Sequence, residues 1–333
     1  MMGFDLLRQL VARLPGGFVL AFHDIPAQKF AEFVELLQPA RPVPLSGLVR
    51  RSTQGKRTRG LFAITVDDGV GETVRALAEL CQAKAWPVTF YLPTDYIDTG
   101  NGMAFHWWRL LKPWLPPKRL QLKSSVIDLT ASGAVEELSR NMERSWHSQR
   151  LESYLPATME LAQIVARENE TAPALMRPAV PITWAEVESL SKNPLLRFES
   201  HGVSHAAMSS LREDELEFEM RYSRDVVTEH TGRPCRHLAY PFGSPVSIGD
   251  RAPAVARRFY DSATTMSLGP VDSADPWMLP RIPLYPENSL LLARLKILVK
   301  CTGMRRITPD WAARGATHGC GIPGQTSRHG RIV

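Results

Sequence analysis

A chain of 333 residues with 44% hydrophobic and 22% charged residues has the make-up of a globular protein with a substantial core, in one large α/β domain or two smaller ones. Forty Lys and Arg against 34 Asp and Glu give a net charge of +6, which suits a polyanion, an anionic membrane face or a phosphorylated substrate. No basic motif interleaved with aromatics points to nucleic acid, and Cys81, Cys235, Cys301 and Cys320 lie too far apart for a disulfide framework or a thiolate zinc centre.

The N-terminal stretch is apolar in patches, but Arg8 and Arg13 interrupt it. It reads as neither a signal peptide nor a membrane span, and a cytoplasmic placement is expected. From there, strand-like and helix-like segments alternate, the pattern of an α/β fold with parallel strands. "GFVLAFHD" (17–24) reads as a buried strand, and Phe30, Phe33, Val34 and Leu37 then recur at helical spacing up to Pro39. "LFAITV" (61–66) is the next strand, followed by an amphipathic helix from Gly71, and "WPVTFYLP" (86–93) is again β-rich.

Residues 101–180 break the rhythm and read as a helical insertion on the edge of the fold. The alternation resumes at Thr183, which has capping-box spacing with Glu186; Ser210 and Glu213 have the same spacing ahead of a long helix. "RHLAYPFG" (236–243), "YDSATTM" (260–266) and "LPRIPLY" (279–285) supply the last strands, and "LLLARLKILVK" (290–300) is an amphipathic basic helix. The tail beyond it, rich in Gly, Arg, Thr and Ser, is expected to be poorly ordered.

Polar residues follow several of the apolar runs directly: His23, Asp67 with Asp68, His201 with His205, Phe242 and Arg281. In a barrel or open parallel sheet the carboxyl ends of the strands gather at one face, so these residues would converge. Adjacent carboxylates raise the cost of ionising each other unless a cation neutralises them. His201 and His205, four apart, can bring two imidazoles to one side of a turn; alone, such a pair fits a solvated or core-bonded loop better than a metal site. With Asp68, the set suits Zn²⁺ or a similar divalent ion. Such an ion leaves positions open for water and lowers the pKa of bound water to about 7 in favourable sites. Asp67 would then face the water and Asp68 the ion, which requires the strand to have ended by Asp67, since consecutive strand residues point to opposite faces.

"TVDDG", "SHGVSH", "AYPFG" and "LPRI" together resemble the polysaccharide deacetylases with a NodB-homology domain (carbohydrate esterase family 4), over about residues 18 to 285. The resemblance implies a deformed (β/α) barrel, one divalent ion, and removal of an acyl group, usually acetyl, from the nitrogen of an amino sugar. It assigns Asp67 as general base and Asp68, His201 and His205 as ligands of Zn²⁺, with Ni²⁺, Co²⁺ or Mn²⁺ as alternatives. The backbone N–H of Phe242 matches an oxyanion donor, and Tyr240 beside it is expected at the substrate. The family's base-orienting Arg has no counterpart in "LAYPFG"; Arg281 is the expected substitute, with a surface arginine as the alternative. The general-acid His usually comes late in the family's domain, where this chain has only His318 and His329. A circularly permuted form carries it first, which selects His23, with Asp24 as a possible ring partner. Trp107 and Trp108 could stack on sugar faces or anchor the insertion's core.

One barrel over 1–290, with 101–180 inserted, and a helix and tail over 291–333 are therefore expected. The substrate is an N-acylated amino sugar of a glycan or of a lipid- or nucleotide-linked precursor, and helix 290–300 could touch an acidic membrane surface or pack on the rim. Two competing expectations are a relative acting on a formylated sugar or a cyclic amide, and an inactive carbohydrate-binding protein supported by the missing motif Arg.

Overall fold

The structure is a computed structural model that describes residues 16–100, 103–123, 125–148, 151–168, 180–272 and 274–301. Eight parallel strands form its main sheet: β1 (Phe18–Phe22), β2 (Arg41–Pro42), β3 (Leu61–Val66), β4 (Val88–Leu92), β7 (Leu196–Ser200), β8 (His237–Ala239), β9 (Ser262–Thr264) and β10 (Ile282–Pro283). Their order is β10–β1–β3–β4–β7–β8–β9, with β2 beside the start of β3. The two ends of this order approach one another through a single segment. Leu279 N–H donates to Ala263 and Thr265 N–H to Leu279, while β10, three residues on, pairs with β1. The sheet is thus curled into the deformed α/β barrel expected from the motifs.

Every residue of β1 and β4 is buried, which is why these strands read as unbroken apolar runs rather than alternating ones. Helices cover the outside through apolar stripes at helical spacing. Helix Ala27–Glu35 buries Phe30, Phe33 and Val34, and helix Gly71–Ala83 buries Val74, Leu77, Ala78 and Cys81. Phe22 meets Phe30 with ring centroids 4.8 Å apart, tying β1 to its helix.

The insertion differs from a purely helical subdomain. Helices Ala104–Leu111, Ala134–Ser148 and Leu151–Glu168 are joined by an antiparallel pair, β5 (Arg119–Gln121) and β6 (Val126–Asp128). It has its own core, in which Trp108, Leu111, Trp146, Leu161 and Val165 are buried and against which Trp107 packs. Trp108 is buried in this core and the partly buried Trp107 packs against it, and neither is among the residues that line the cleft described below.

The capping box at Thr183 and Glu186 is present, with Thr183 N–H donating to the Glu186 carboxylate at 2.9 Å. The one expected at Ser210 and Glu213 is shifted by two residues. Helix Glu213–Thr231 starts after Arg212, whose N–H donates to Glu215 at 2.8 Å, while Ser210 sits in a 3₁₀ turn and bonds Ala207. Cys81 and Cys235 are buried free thiols.

Helix Leu290–Cys301 belongs to the same compact unit as the strands of the main sheet. It buries Ala293 and Ile297 but exposes Leu291, Leu292 and Leu295, so apolar residues occupy both its inner and outer faces. Among the described residues no helix is long and apolar enough to cross a membrane. The tail expected to be poorly ordered, including His318, Cys320 and His329, lies outside the described residues.

Candidate active site

Register brings the site together. Phe22 pairs with Val66, so the next residues, His23 and Asp67, emerge side by side at the carboxyl ends of β1 and β3. The ladder holds one step further, since Asp67 N–H donates to the Phe22 carbonyl at 2.9 Å. Leu92 pairs with Ser200, so His201 emerges at the same end of β7, and its N–H donates to Leu92. His23, Asp67, Asp68, His201, His205, Tyr240, Phe242 and Arg281 all line one cleft of about 230 Å³.

Asp68 turns out of the strand at φ 75, followed by Gly69 at φ 64. Among the described residues the non-glycine positions with positive φ are Asp68, Ala85, His205 and Phe242, and three of these four line the cleft. Such left-handed residues persist only where the surroundings hold them, and they cluster at functional sites.

Arg281 is fully buried and grips Asp67 with two parallel bonds, Nη1 to Oδ1 at 2.7 Å and Nη2 to Oδ2 at 2.8 Å. Its Nη1 also donates to Thr65 Oγ1 and its Nε to the Thr265 carbonyl, so the guanidinium is fixed from three sides. The surface-arginine alternative is thereby ruled out. Burial pushes the Asp67 carboxyl up, but the charges of Arg281, His201 and His23 outweigh it and hold the group below the usual range.

Asp68 Oδ1 lies 3.6 Å from His201 Nε2 and 3.6 Å from His205 Nε2. The ligand atoms of these three buried residues all fall within 4.8 Å of one another. Two ligands about 2.1 Å from one tetrahedral zinc stand about 3.4 Å apart, so the spacing fits a single ion of that size. His201 Nδ1 is engaged by the Ala239 carbonyl at 2.8 Å, which leaves the Nε2 lone pair for a ligand role. Burial and the neighbouring His201 push His205 down to about 3, so it is neutral, the form a cation requires. Burial raises the Asp68 carboxyl less than its bond to His201 and the charge of His23 lower it, leaving it far below the ordinary carboxylate range. The residues fit a divalent ion.

His23 Nε2 lies 3.8 Å from Asp67 Oδ2, and its ring stacks on Tyr285 at 6.2 Å. Its Nδ1 is buried without a partner among the described residues. Asp24, expected as a ring partner, instead accepts from the Thr73 hydroxyl at 2.8 Å, which anchors the turn after β1 to helix Gly71–Ala83. Tyr240 contributes a buried wall, its hydroxyl donating to the Trp277 carbonyl.

The sequence reading missed two groups. Glu219 lies on the buried stripe of helix Glu213–Thr231 with Leu216, Met220 and Val227, a carboxylate among apolar spacings that was a visible signal. It accepts from Val203 N–H at 2.6 Å, Ser204 N–H at 3.1 Å and the Ser204 hydroxyl at 2.5 Å, and so braces the loop between the two histidines. The loop passes so close that a Cβ on Gly202, at φ 79, would stand 3.0 Å from Glu219 Oε2. The insertion supplies the second group: Phe105, Glu143, Trp146 and His147 line the cleft. The Phe105 ring lies 5.4 Å from that of His205, and Phe242 lies 4.7 Å from both His205 and His147.

A curled parallel sheet with a paired Asp–Arg and an Asp–His–His group at its carboxyl ends is a hydrolase frame. The sequence model of the polysaccharide deacetylases matches residues 54–259, well over half of the chain, and the chain belongs to that family. His23 and Arg281 fall outside the matched range, yet the fold delivers both to Asp67. No curated protein matches the chain. Among solved structures it is similar to the deacetylase PplD of Streptococcus pyogenes in complex with acetate, with a TM-score of 0.55 and 12% identity over 85% of this chain and 98% of that one. IcaB from Ammonifex degensii aligns with a TM-score of 0.52 and 12% identity, covering 85% of this chain and 97% of IcaB. A putative polysaccharide deacetylase from Bacillus anthracis gives 0.53 and 13%, covering 85% and 69%. At these identities the likeness is one of fold.

Proposed function

We propose that the protein is a metal-dependent hydrolase that removes the N-acetyl group from an amino sugar of a glycan or of a lipid- or nucleotide-linked precursor. The observation that carries this reading is the clasp of Arg281 on Asp67 directly beside the buried Asp68–His201–His205 group. Asp68, His201 and His205 would hold one divalent ion, Zn²⁺ in the first instance. Bound there, the ion supplies Lewis acidity toward the amide oxygen and makes water acidic enough to attack near neutral pH.

Asp67, kept ionised by Arg281, is the base that takes the proton of the attacking water at Oδ2, the oxygen that faces both His23 and His201. His23, 3.8 Å from the same Oδ2, delivers a proton to the departing amine. The Phe242 N–H donates to the developing oxyanion, a contribution of about 3–4 kcal/mol for one preorganised donor. The cleft of about 230 Å³ matches one sugar ring with its acyl group better than a long glycan threaded through it. Inactivity for want of the motif Arg loses its support, since Arg281 stands on Asp67.

Acyl release measured on soluble N-acetyl, N-formyl and cyclic amide compounds tests the reading. Acetate release that stops on chelation and returns with Zn²⁺ is expected. Turnover of the cyclic amide alone, or full turnover after chelation with no metal left in the protein, would refute it.

A further inference from the structure

The polar groups on the barrel side of the cleft are already engaged. Arg281 donates to Asp67, Thr65 and Thr265, and the Tyr240 hydroxyl donates to the Trp277 carbonyl. Asp68, His201 and His205 face one another, and His23 faces Asp67. A sugar also brings hydroxyls, which a binding site meets with a few convergent polar groups. The opposite wall offers them. Helix Ala134–Ser148 of the insertion brings Glu143, Trp146 and His147 to the cleft. Trp146 is buried in the insertion's core, so its neighbours Glu143 and His147 are held on a packed helix rather than on a loop. Glu143 is exposed to the cleft and makes no hydrogen bond or ion pair among the described residues.

Position and chemistry together define what Glu143 meets. The His147 ring lies 4.7 Å from that of Phe242, whose N–H is the oxyanion donor of the proposed reaction, so His147 marks the acyl end of the cleft. Glu143, one turn earlier on the same face, stands about 6 Å further along the helix axis, the reach from an acyl group to the sugar ring that carries it. A carboxylate accepts hydrogen bonds but cannot donate them, so it needs hydroxyl hydrogens. In an amino sugar linked through C1, the ring oxygen and the glycosidic oxygen have none. The donors beside the nitrogen-bearing C2 are the hydroxyls on C3 and C4. We propose that Glu143 is a specificity-determining residue that accepts from the 3- and 4-hydroxyls of the reacting sugar. The substrate is then a neutral amino sugar with both hydroxyls free, linked through C1 to its carrier, and an acid group placed on either oxygen is repelled. The choice of these two hydroxyls rests on the deacetylase reading, which fixes the acyl end; sugar binding by Glu143 does not.

The probes are methyl N-acetyl-β-glucosaminide, its 3-deoxy and 4-deoxy analogues, and its 3-O-lactyl ether, which adds a carboxylate. With the native protein each deoxy analogue should lose about tenfold in kcat/KM, mostly through KM. Glu143→Ala should lose at least as much on the parent glycoside and then treat the parent and both deoxy analogues alike, because the bonds that told them apart are gone. Glu143→Gln removes the charge and keeps the shape, and should narrow the preference for the parent over the lactyl ether by about tenfold. Deoxy losses that persist in full in Glu143→Ala, or an unchanged preference in Glu143→Gln, would overturn the proposal. Calorimetric binding of the same glycosides to the Zn²⁺-loaded protein reads the site without turnover. Binding that follows this pattern with no acetate released from any sugar would sink the deacetylase reading and leave Glu143 in its role; acetate release indifferent to Glu143 would do the reverse.

Discussion

Arg281→Met isolates the grip on Asp67. Both side chains are almost fully buried, and the two bonds of 2.7 and 2.8 Å place a full positive charge against the carboxylate. An opposite charge at such range lowers a carboxyl pKa by about 1–3 units, and bidentate contact under burial belongs at the upper end. Without Arg281, burial, already the largest influence on Asp67, is opposed only by His201 and His23. The acid limb of kcat/KM should therefore move up by about 2–3 pH units, or about 3–4 kcal/mol at 1.36 kcal/mol per unit. Removing one partner of a buried pair also costs about 3–5 kcal/mol of stability near neutral pH. The sign follows from linkage. In the native protein the depressed carboxyl contributes stability above its unfolded pKa of about 3.9, which is lost as pH falls through the folded value. In Arg281→Met the contribution reverses, so the stability gap between the two proteins should be widest near pH 7 and close in acid. The assays are kcat/KM against pH on a soluble N-acetylated sugar and urea unfolding at two pH values. Arg281→Lys, which keeps the charge but not the fork, should recover part of both. An acid limb that stays in place while activity falls equally at every pH would refute the reasoning, for Arg281 would then act on the fold and not through Asp67.

Asp67→Asn should lower kcat by about 10²–10⁴-fold with metal content unchanged; loss of the metal along with turnover would show that Asp67 is a ligand and not the base. Glu219→Gln puts an amide donor against the Val203 and Ser204 donors, and the loosened loop should weaken metal affinity by about 10–100-fold. A lower unfolding midpoint with unaltered metal affinity, measured by competition with a chelating dye, would reduce Glu219 to a structural brace. His147→Ala opens the wall beside Phe242 and should raise kcat/KM for acyl groups larger than acetyl relative to acetyl itself; an unchanged ratio would place His147 outside the acyl pocket.

The barrel side of the site was legible because parallel strands in register convert sequence position into spatial position. Each apolar run ends where the cleft begins, so the residue after the run is a site residue whichever strand carries it. The same logic places Arg281, which enters from the strand that joins the two edges of the sheet. Local chemistry was less legible where neighbours compete for one group. Asp24 follows His23 directly but is claimed by Thr73, from a helix 49 residues on. The insertion was opaque for a different reason. Its short aromatic helix shows Phe105, His106, Trp107 and Trp108 in a row, and only packing against Trp146, Leu161 and Val165 decides that the tryptophans turn to the insertion while Phe105 meets His205. Helical periodicity gives a stripe, but it cannot say which of two cores the stripe faces.

The two neighbouring carboxylates are tolerable because they do not share a solution to their charge. Asp67 continues the ladder of β3 by one residue and meets the guanidinium of Arg281; Asp68, swung to φ 75, meets two imidazoles instead. With Arg281 cancelling one negative charge, the cleft still holds one more in a place almost without water, and a buried unpaired charge costs several kcal/mol. His201 shows how the chain alone meets that demand. Burial would strip its proton, yet the bond to Asp68 and the charges of both carboxylates keep its pKa above the ordinary histidine value. His205, beside it, is driven the other way. A proton on His201 and a divalent ion among Asp68, His201 and His205 answer the same surplus of negative charge, and they compete for the same Nε2 lone pair. The negative charge that Arg281 leaves uncancelled is thus what suits the Asp68 group to a cation, whether a proton on His201 or a metal ion.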